Sequence, residues 1–316
     1  MATEIRKGER AVAVSKDAPP PVRPSRTVSY WLYLVPSGVL FTVVIGAPFV
    51  ASVVLGFTRW QGIGAPTWIG LENYQRLFQD ERFWQSFEHN LVLILAMAVI
   101  PTFLGLVLAS VLFDFVGKRY GARTASGLRA AFYLPQVLPV AVAGVVWTWI
   151  LKPTGGALNA VLEAIGLPGQ DWLGDESLAL PSVGGILVWL QIGYPVVIFM
   201  SGLQRVDPSL YEAAEIDGAG WWRRFRHITV PQIRPEIYVV LLTCTIAALK
   251  VFGPIYVLTR GGPGGATNVP SYFSYQNFFQ KTQVGYGSAI ATVLTLVIVA
   301  VTFLFLRAQR RGEETS

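Results

Sequence analysis

The sequence predicts an all-α fold, a polytopic membrane protein with six transmembrane helices. Three observations predict it. Of the 316 residues, 53% are hydrophobic and only 14% are charged, where a soluble domain carries about a quarter charged residues. The apolar residues fall in six long runs, each close to the ~20 residues that a helix needs to cross a hydrocarbon core about 30 Å thick. No strand-period alternation competes with these runs, which argues against a β-barrel. The same composition excludes a disordered chain, since such chains are poor in apolar and aromatic residues.

Taken in order, the spans are expected near Trp31–Phe57, Asn90–Phe113, Ala130–Leu151, Val183–Leu203, Ile237–Leu258 and Tyr286–Leu306. Residues 1–29 precede them, charged and rich in Ala and Pro, and read as a disordered cytoplasmic tail. The first apolar run is too long for a cleaved signal segment and stays in the membrane. The membrane domain is thus expected over 30–306, with a cytoplasmic tail over 307–316. Charge placement orients it. With the amino terminus inside, the outer segments hold only Arg59, Arg76, Arg82, Lys152, Arg260 and Lys281. Lys250 falls within helix five, and all the rest of the 25 Lys and Arg lie inside. The positive-inside rule then sets both termini in the cytoplasm of a multi-pass cell-membrane protein. It also accounts for the net charge of +6 without a nucleic-acid partner. Pro36, Pro48, Pro101, Pro135, Pro139, Pro195 and Pro254 interrupt the spans, either as packing kinks or as bends around a cavity.

Several chemistries are excluded. Cys244 is the single cysteine and the two histidines, His89 and His227, are far apart, so neither a disulfide nor a Cys/His zinc site is available. No phosphate-binding loop is present; Gly261–Gly265 has no following Lys and reads as a turn. The residues call for no cofactor, metal or catalytic group, and any ATP hydrolysis belongs to another subunit.

The inner loop over 205–235 carries the most information. Asp207 is a good N-cap and Pro208 suits the first helical position. Leu210 to Asp217 makes a short helix, which Gly218 ends with positive φ. A second piece, Trp221 to His227, carries Arg223, Arg224 and Arg226, and Pro231 and Pro235 close the unit. Such a unit suits a partner's groove, with Ala213 and Ala214 as a small-residue face and Glu212 and Asp217 facing basic groups. On composition alone an interfacial loop anchored by Trp221 and Trp222 fits slightly better.

The spacing sharpens this. Glu212-Ala213-Ala214, three residues, Gly218, nine residues, then Ile228-Thr229-Val230-Pro231 resembles the EAA loop of ABC importer permeases, with Val230 for the usual Leu. The resemblance covers most of the chain. Leu134-Pro135, Trp147, Pro153, Gly156, Asn159, the run Ile255–Pro263, Ala266-Thr267 and Gly285–Ala289 are similar to the carbohydrate-type subgroup, which serves maltose and glycerol-3-phosphate uptake. Gly253 departs from it, standing where that subgroup often has Asp. The resemblance implies a heteromeric importer: a second permease subunit as heterodimer partner, an ATP-binding ABC ATPase dimer and an extracytoplasmic solute-binding protein, all around a membrane-lipid-embedded core. It also implies that Glu212, Ala213, Ala214, Asp217, Gly218, Ile228 and Pro231 couple the permease to the ATPase.

A sugar presents hydroxyl edges and apolar faces, so its path wants aromatic rings and amide partners. Trp147 on helix three, Trp189, Gln191 and Tyr194 on helix four, and Lys250, Phe252 and Tyr256 on helix five are the candidates. A lysine at a helix centre costs about 2.5–3.5 kcal/mol on insertion scales and usually faces an interior. The expected function is ATP-driven carbohydrate uptake. A non-sugar cargo such as glycerol phosphate or a polyamine is the alternative, with a membrane scaffold as a further one.

Overall fold

The structure, a computed structural model, describes residues 28–313. The expected amino-terminal tail lies, up to residue 27, outside them, as do residues 314–316. The chain divides into two units at Phe49/Val50. The first is helical throughout its described part, from Val28 on, with one π-helical turn at Thr42–Gly46. Val39, Leu40, Phe41 and Val44 are exposed, as side chains meeting lipid tails must be.

The second unit begins within the apolar helix Tyr33–Leu55 and carries the remaining spans. A short antiparallel pair follows, Thr58 opposite Trp68 and Arg59 opposite Thr67. Two helices are long and apolar enough to cross a membrane: Glu81–Gly117 and Val284–Arg310. Glu176–Leu203 is a third, interrupted only at Ile192, just before Pro195. The long sixth helix runs on to Glu313.

Helices three and five depart from the expected single rods. Arg123–Val137 and Val140–Ile150 meet at 93°, because Leu138 and Pro139 are both extended, at ψ 133° and 131°, and Pro139 has no N–H to continue the helix. Trp221–Gln232 meets Arg234–Leu249 at 73°. By length and composition the described residues hold four helices able to cross a membrane, and up to six spans when each bent pair is counted as one.

Helix five itself stops at Leu249 and resumes at Gly253–Leu258. Lys250 is therefore not inside a helix. It is the exposed C-cap of Arg234–Leu249, where the negative end of the helix dipole favours a cation. The broken backbone is re-satisfied by neighbours. Asn90 Nδ2 donates to Ala248 O at 3.0 Å, and Ser271 Oγ donates to Val251 O. In a membrane such side-chain partners are what allow an interrupted helix.

Spans two, four and five form the core. Ala98, Leu106, Val196, Phe199, Val240 and Cys244 pack in one buried cluster, and Leu93, Val183, Leu187, Ala248 and Ile255 in another. Span two approaches span four closely at Gly105, where an added Cβ would lie 2.5 Å from Pro195 Cβ and 3.2 Å from Val196 N. Only a residue without a side chain allows this distance between backbones, the small-residue packing usual in lipid.

Candidate functional site: the inner loop and the ring clusters

The loop between spans four and five folds as a helix, a cap and a second turn. Asp207 caps Pro208–Ile216, its carboxylate accepting from Ser209 N at 2.9 Å. The backbone and side-chain hydrogen bonds from Ser209 hold the Asp207 carboxyl below its ordinary range. At the other end, Gly218 sits at φ +70°. Its N–H bonds Glu215 O at 3.1 Å and Ala219 N bonds Ala214 O at 2.8 Å. That is the paired pattern of a Schellman cap, in which a left-handed residue satisfies the last carbonyls.

The second piece turns back against the first. Trp221–Arg224 leads into a π-helical turn at Phe225–Thr229. Tyr211, 6% exposed, places its hydroxyl 3.1 Å from Thr229 Oγ1, and burial pushes the Tyr211 phenol up from its ordinary value. Arg224 Nη1 lies 3.5 Å from Glu215 Oε2. Phe225, Trp221 and Trp222 form a triangle of rings, with the Phe225 centroid 5.2 and 5.4 Å from the two indoles and the indoles 6.1 Å apart. Arg205, just before the loop, pairs with Glu236 just after it.

The result is a braced unit with a bare outer surface. Glu212, Ala213, Asp217, Gly218 and Pro231 are exposed, Ala214 and Ile228 half-buried. Ile216 is 87% and Trp222 58% exposed. Beside the cap lies a concavity of about 310 Å3 lined by Ala214, Asp217, Ala219, Arg223, Arg224 and Ile228. The coupling candidates Ala214, Asp217 and Ile228 thus come together at one hollow.

The candidates for the solute path separate into two pairs and three single residues. Trp147 and Trp189 meet edge to face, with centroids 5.4 Å apart. Phe252 and Tyr256 stack at 5.6 Å. Gln191 Nε2 donates to Cys244 Sγ at 3.2 Å, while Tyr194 packs on the cluster that includes Phe199. Lys250 makes no ion pair among the described residues. The sequence reading missed Tyr272 and Tyr275, which close a ring cluster around Phe252 and Tyr256: Tyr275 lies 5.1 Å from Phe252 and 5.6 Å from Tyr256. Their signal was the aromatic-rich stretch Tyr272–Phe279. Asn90 was also missed, though an amide in an apolar run is itself a signal.

A bundle with broken spans and an exposed, braced loop is a multi-pass membrane component. The chain belongs to the family of binding-protein-dependent transport system inner membrane components, which matches residues 115–313. It is 36% identical over 287 residues to a probable ABC transporter permease of Bacillus subtilis, covering 90% of this chain and 97% of that one. It is 34% identical to a diacetylchitobiose uptake system permease of Streptomyces coelicolor, over 88% and 82% of the two chains. Its fold matches a bacterial ABC transporter involved in import of the acidic polysaccharide alginate, with a TM-score of 0.78 at 23% identity, over 90% and 96% of the chains.

Proposed function

We propose that this chain is a permease subunit of a binding-protein-dependent importer that carries a sugar or oligosaccharide into the cytoplasm. A separate ATPase dimer supplies the energy, a second permease completes the pore, and an extracytoplasmic binding protein delivers the solute. Both termini lie in the cytoplasm, which follows from the charge asymmetry of the loops.

One observation carries this reading: the Glu212–Pro231 unit is rigidly braced at its base and bare on its outer face. Tyr211–Thr229 and Arg224–Glu215 tie its two halves together. A push on Ile216 or Gly218 is therefore passed to the turn that leads into helix five.

The carbohydrate cargo is supported by the relatives' names, which include a diacetylchitobiose uptake system and a sulfoquinovosyl glycerol transport system. It is supported too by the rings of Trp147, Trp189, Phe252 and Tyr256, apolar faces on which sugar C–H groups can rest. The test is uptake by the reconstituted complex. Labelled oligosaccharides are offered with the cognate binding protein and ATP. Accumulation that needs both supports the reading; accumulation of only a non-sugar solute, or none, overturns it.

A further inference from the structure

A second cavity lies far along the chain from the inner loop. It measures about 280 Å3 and is lined by Arg82, Arg260 and Lys281, with Gln85 and Gln276 between them and the glycine-rich turn 261–265 as a wall. No Asp or Glu lines it. Outside the lining, Asp80 caps its helix and accepts from the Tyr286 hydroxyl at 2.7 Å, and the Glu176 carboxylate lies against Gly264, itself a wall residue. Among the described residues none of the three cations forms an ion pair.

The wall is fixed in place. Thr267, fully buried, donates to Gly262 O at 2.7 Å and meets Thr259 Oγ1 at 2.6 Å. An added Cβ at Gly261, φ +79°, would lie 2.8 Å from the Tyr272 ring, so that strand of the turn cannot move inward. Three like charges around one rigid hollow repel each other until an anion enters. The occupant is not a sugar ring, because the one aromatic side chain in the wall, Phe273, is buried and already covered by Lys281 Nζ at 5.7 Å.

We propose that this cavity seats a carboxylate side chain of the solute-binding protein. The inference rests on the functional reading above and on its topology, which puts Arg82, Arg260 and Lys281 on the outer face. All three side chains are exposed. Exposed charges steer and register a macromolecular partner, whereas tight capture of a small anion calls for buried donors.

The test uses the assembled importer in lipid nanodiscs and its cognate binding protein. Affinity is measured at about 0.05 M and about 0.5 M NaCl, a range over which exposed charge pairs become screened. The wild type is compared with the triple variant Arg82→Gln/Arg260→Gln/Lys281→Gln, and with Arg82→Gln and Lys281→Gln singly, which leave the positive-φ position 260 intact. Basal ATP hydrolysis on the same samples reports an intact complex. The expected result is affinity about tenfold weaker in the triple variant at low salt, with a flattened salt dependence, and an intermediate loss in each single variant. Unchanged affinity and salt slope in all three overturn the proposal. So does submillimolar binding of inorganic phosphate that leaves protein docking unaffected, since it assigns the cavity to a small anion. A wild-type complex that ignores the binding protein altogether overturns the functional reading beneath, and does so without any substitution.

Discussion

The Tyr211 hydroxyl lies 3.1 Å from Thr229 Oγ1, joining the first helix of the inner loop to the turn that enters helix five. Both residues are buried, so the bond is shielded from water. Removing it in Tyr211→Phe is expected to lower stability by about 0.5–1.5 kcal/mol and to loosen coupling, so that ATP is hydrolysed with less solute moved. Thermal midpoint and the ratio of uptake to hydrolysis, read on one preparation, check this. A pH arm follows. Burial raises the Tyr211 pKa, so its contribution is complete below the unfolded value of about 10 and is lost as pH rises through the higher folded value. The wild type should therefore lose stability above about pH 10 more steeply than Tyr211→Phe.

Gly218 gives a cleaner separation of cap from contact. No atom lies within 4 Å of an added Cβ there, so Gly218→Ala meets only the backbone cost of left-handed φ, about 1–2 kcal/mol. A larger effect comes from the partner side, where Gly218→Val would stand in the docking face. Uptake should fall steeply in Gly218→Val and modestly in Gly218→Ala, and since a β-branched residue tolerates left-handed φ less well than Ala, uptake is read against the melting temperature of each variant. Similar uptake losses in both would reduce the role of Gly218 to that of a helix cap.

The break in helix five depends on a residue of span two. Asn90→Leu removes the donor to Ala248 O. The carbonyl keeps its bond from Val251 N at 3.1 Å, so the expected loss is about 1 kcal/mol, seen as a lower melting temperature in detergent. An unchanged melting temperature would mean that the break is held by Ser271 and packing alone.

Much of this architecture is legible in the sequence, and the limits have physical causes. Asp207 and Gly218 act through their own neighbours, so their roles can be read from a dozen residues. The runs that mark the spans are likewise local. The breaks are not. Lys250-Val251-Phe252 is apolar but for one residue, and what permits it to unwind is an amide 158 positions earlier, Asn90 against Ala248. Pro139 announces a kink, but not that Leu138 turns extended beside it, which opens the angle to 93°. The pairing of Trp147 with Trp189 is equally a product of tertiary packing, as is the closing of the ring cluster by Tyr272 and Tyr275.

The ring pair offers a test of the solute path. Trp189→Ala removes one partner of the edge-to-face pair with Trp147. If the rings bear on solute, KM for uptake should rise about two- to tenfold, the span set by the 0.5–1.5 kcal/mol of such ring contacts, and Trp189→Phe should recover most of it. If they serve packing alone, the melting temperature falls and KM does not move.

The account as a whole depends on the exposed loop touching an ATP-hydrolysing subunit. Cys244 is buried, so a single reactive thiol placed by Glu212→Cys in a Cys244→Ala background can carry a photo-crosslinker in the assembled complex. The account predicts a crosslink to the ATPase subunit, weakened when the transporter is trapped with nucleotide. A thiol at 212 that yields no such adduct, and that reacts with a membrane-impermeant reagent on intact cells, would contradict it.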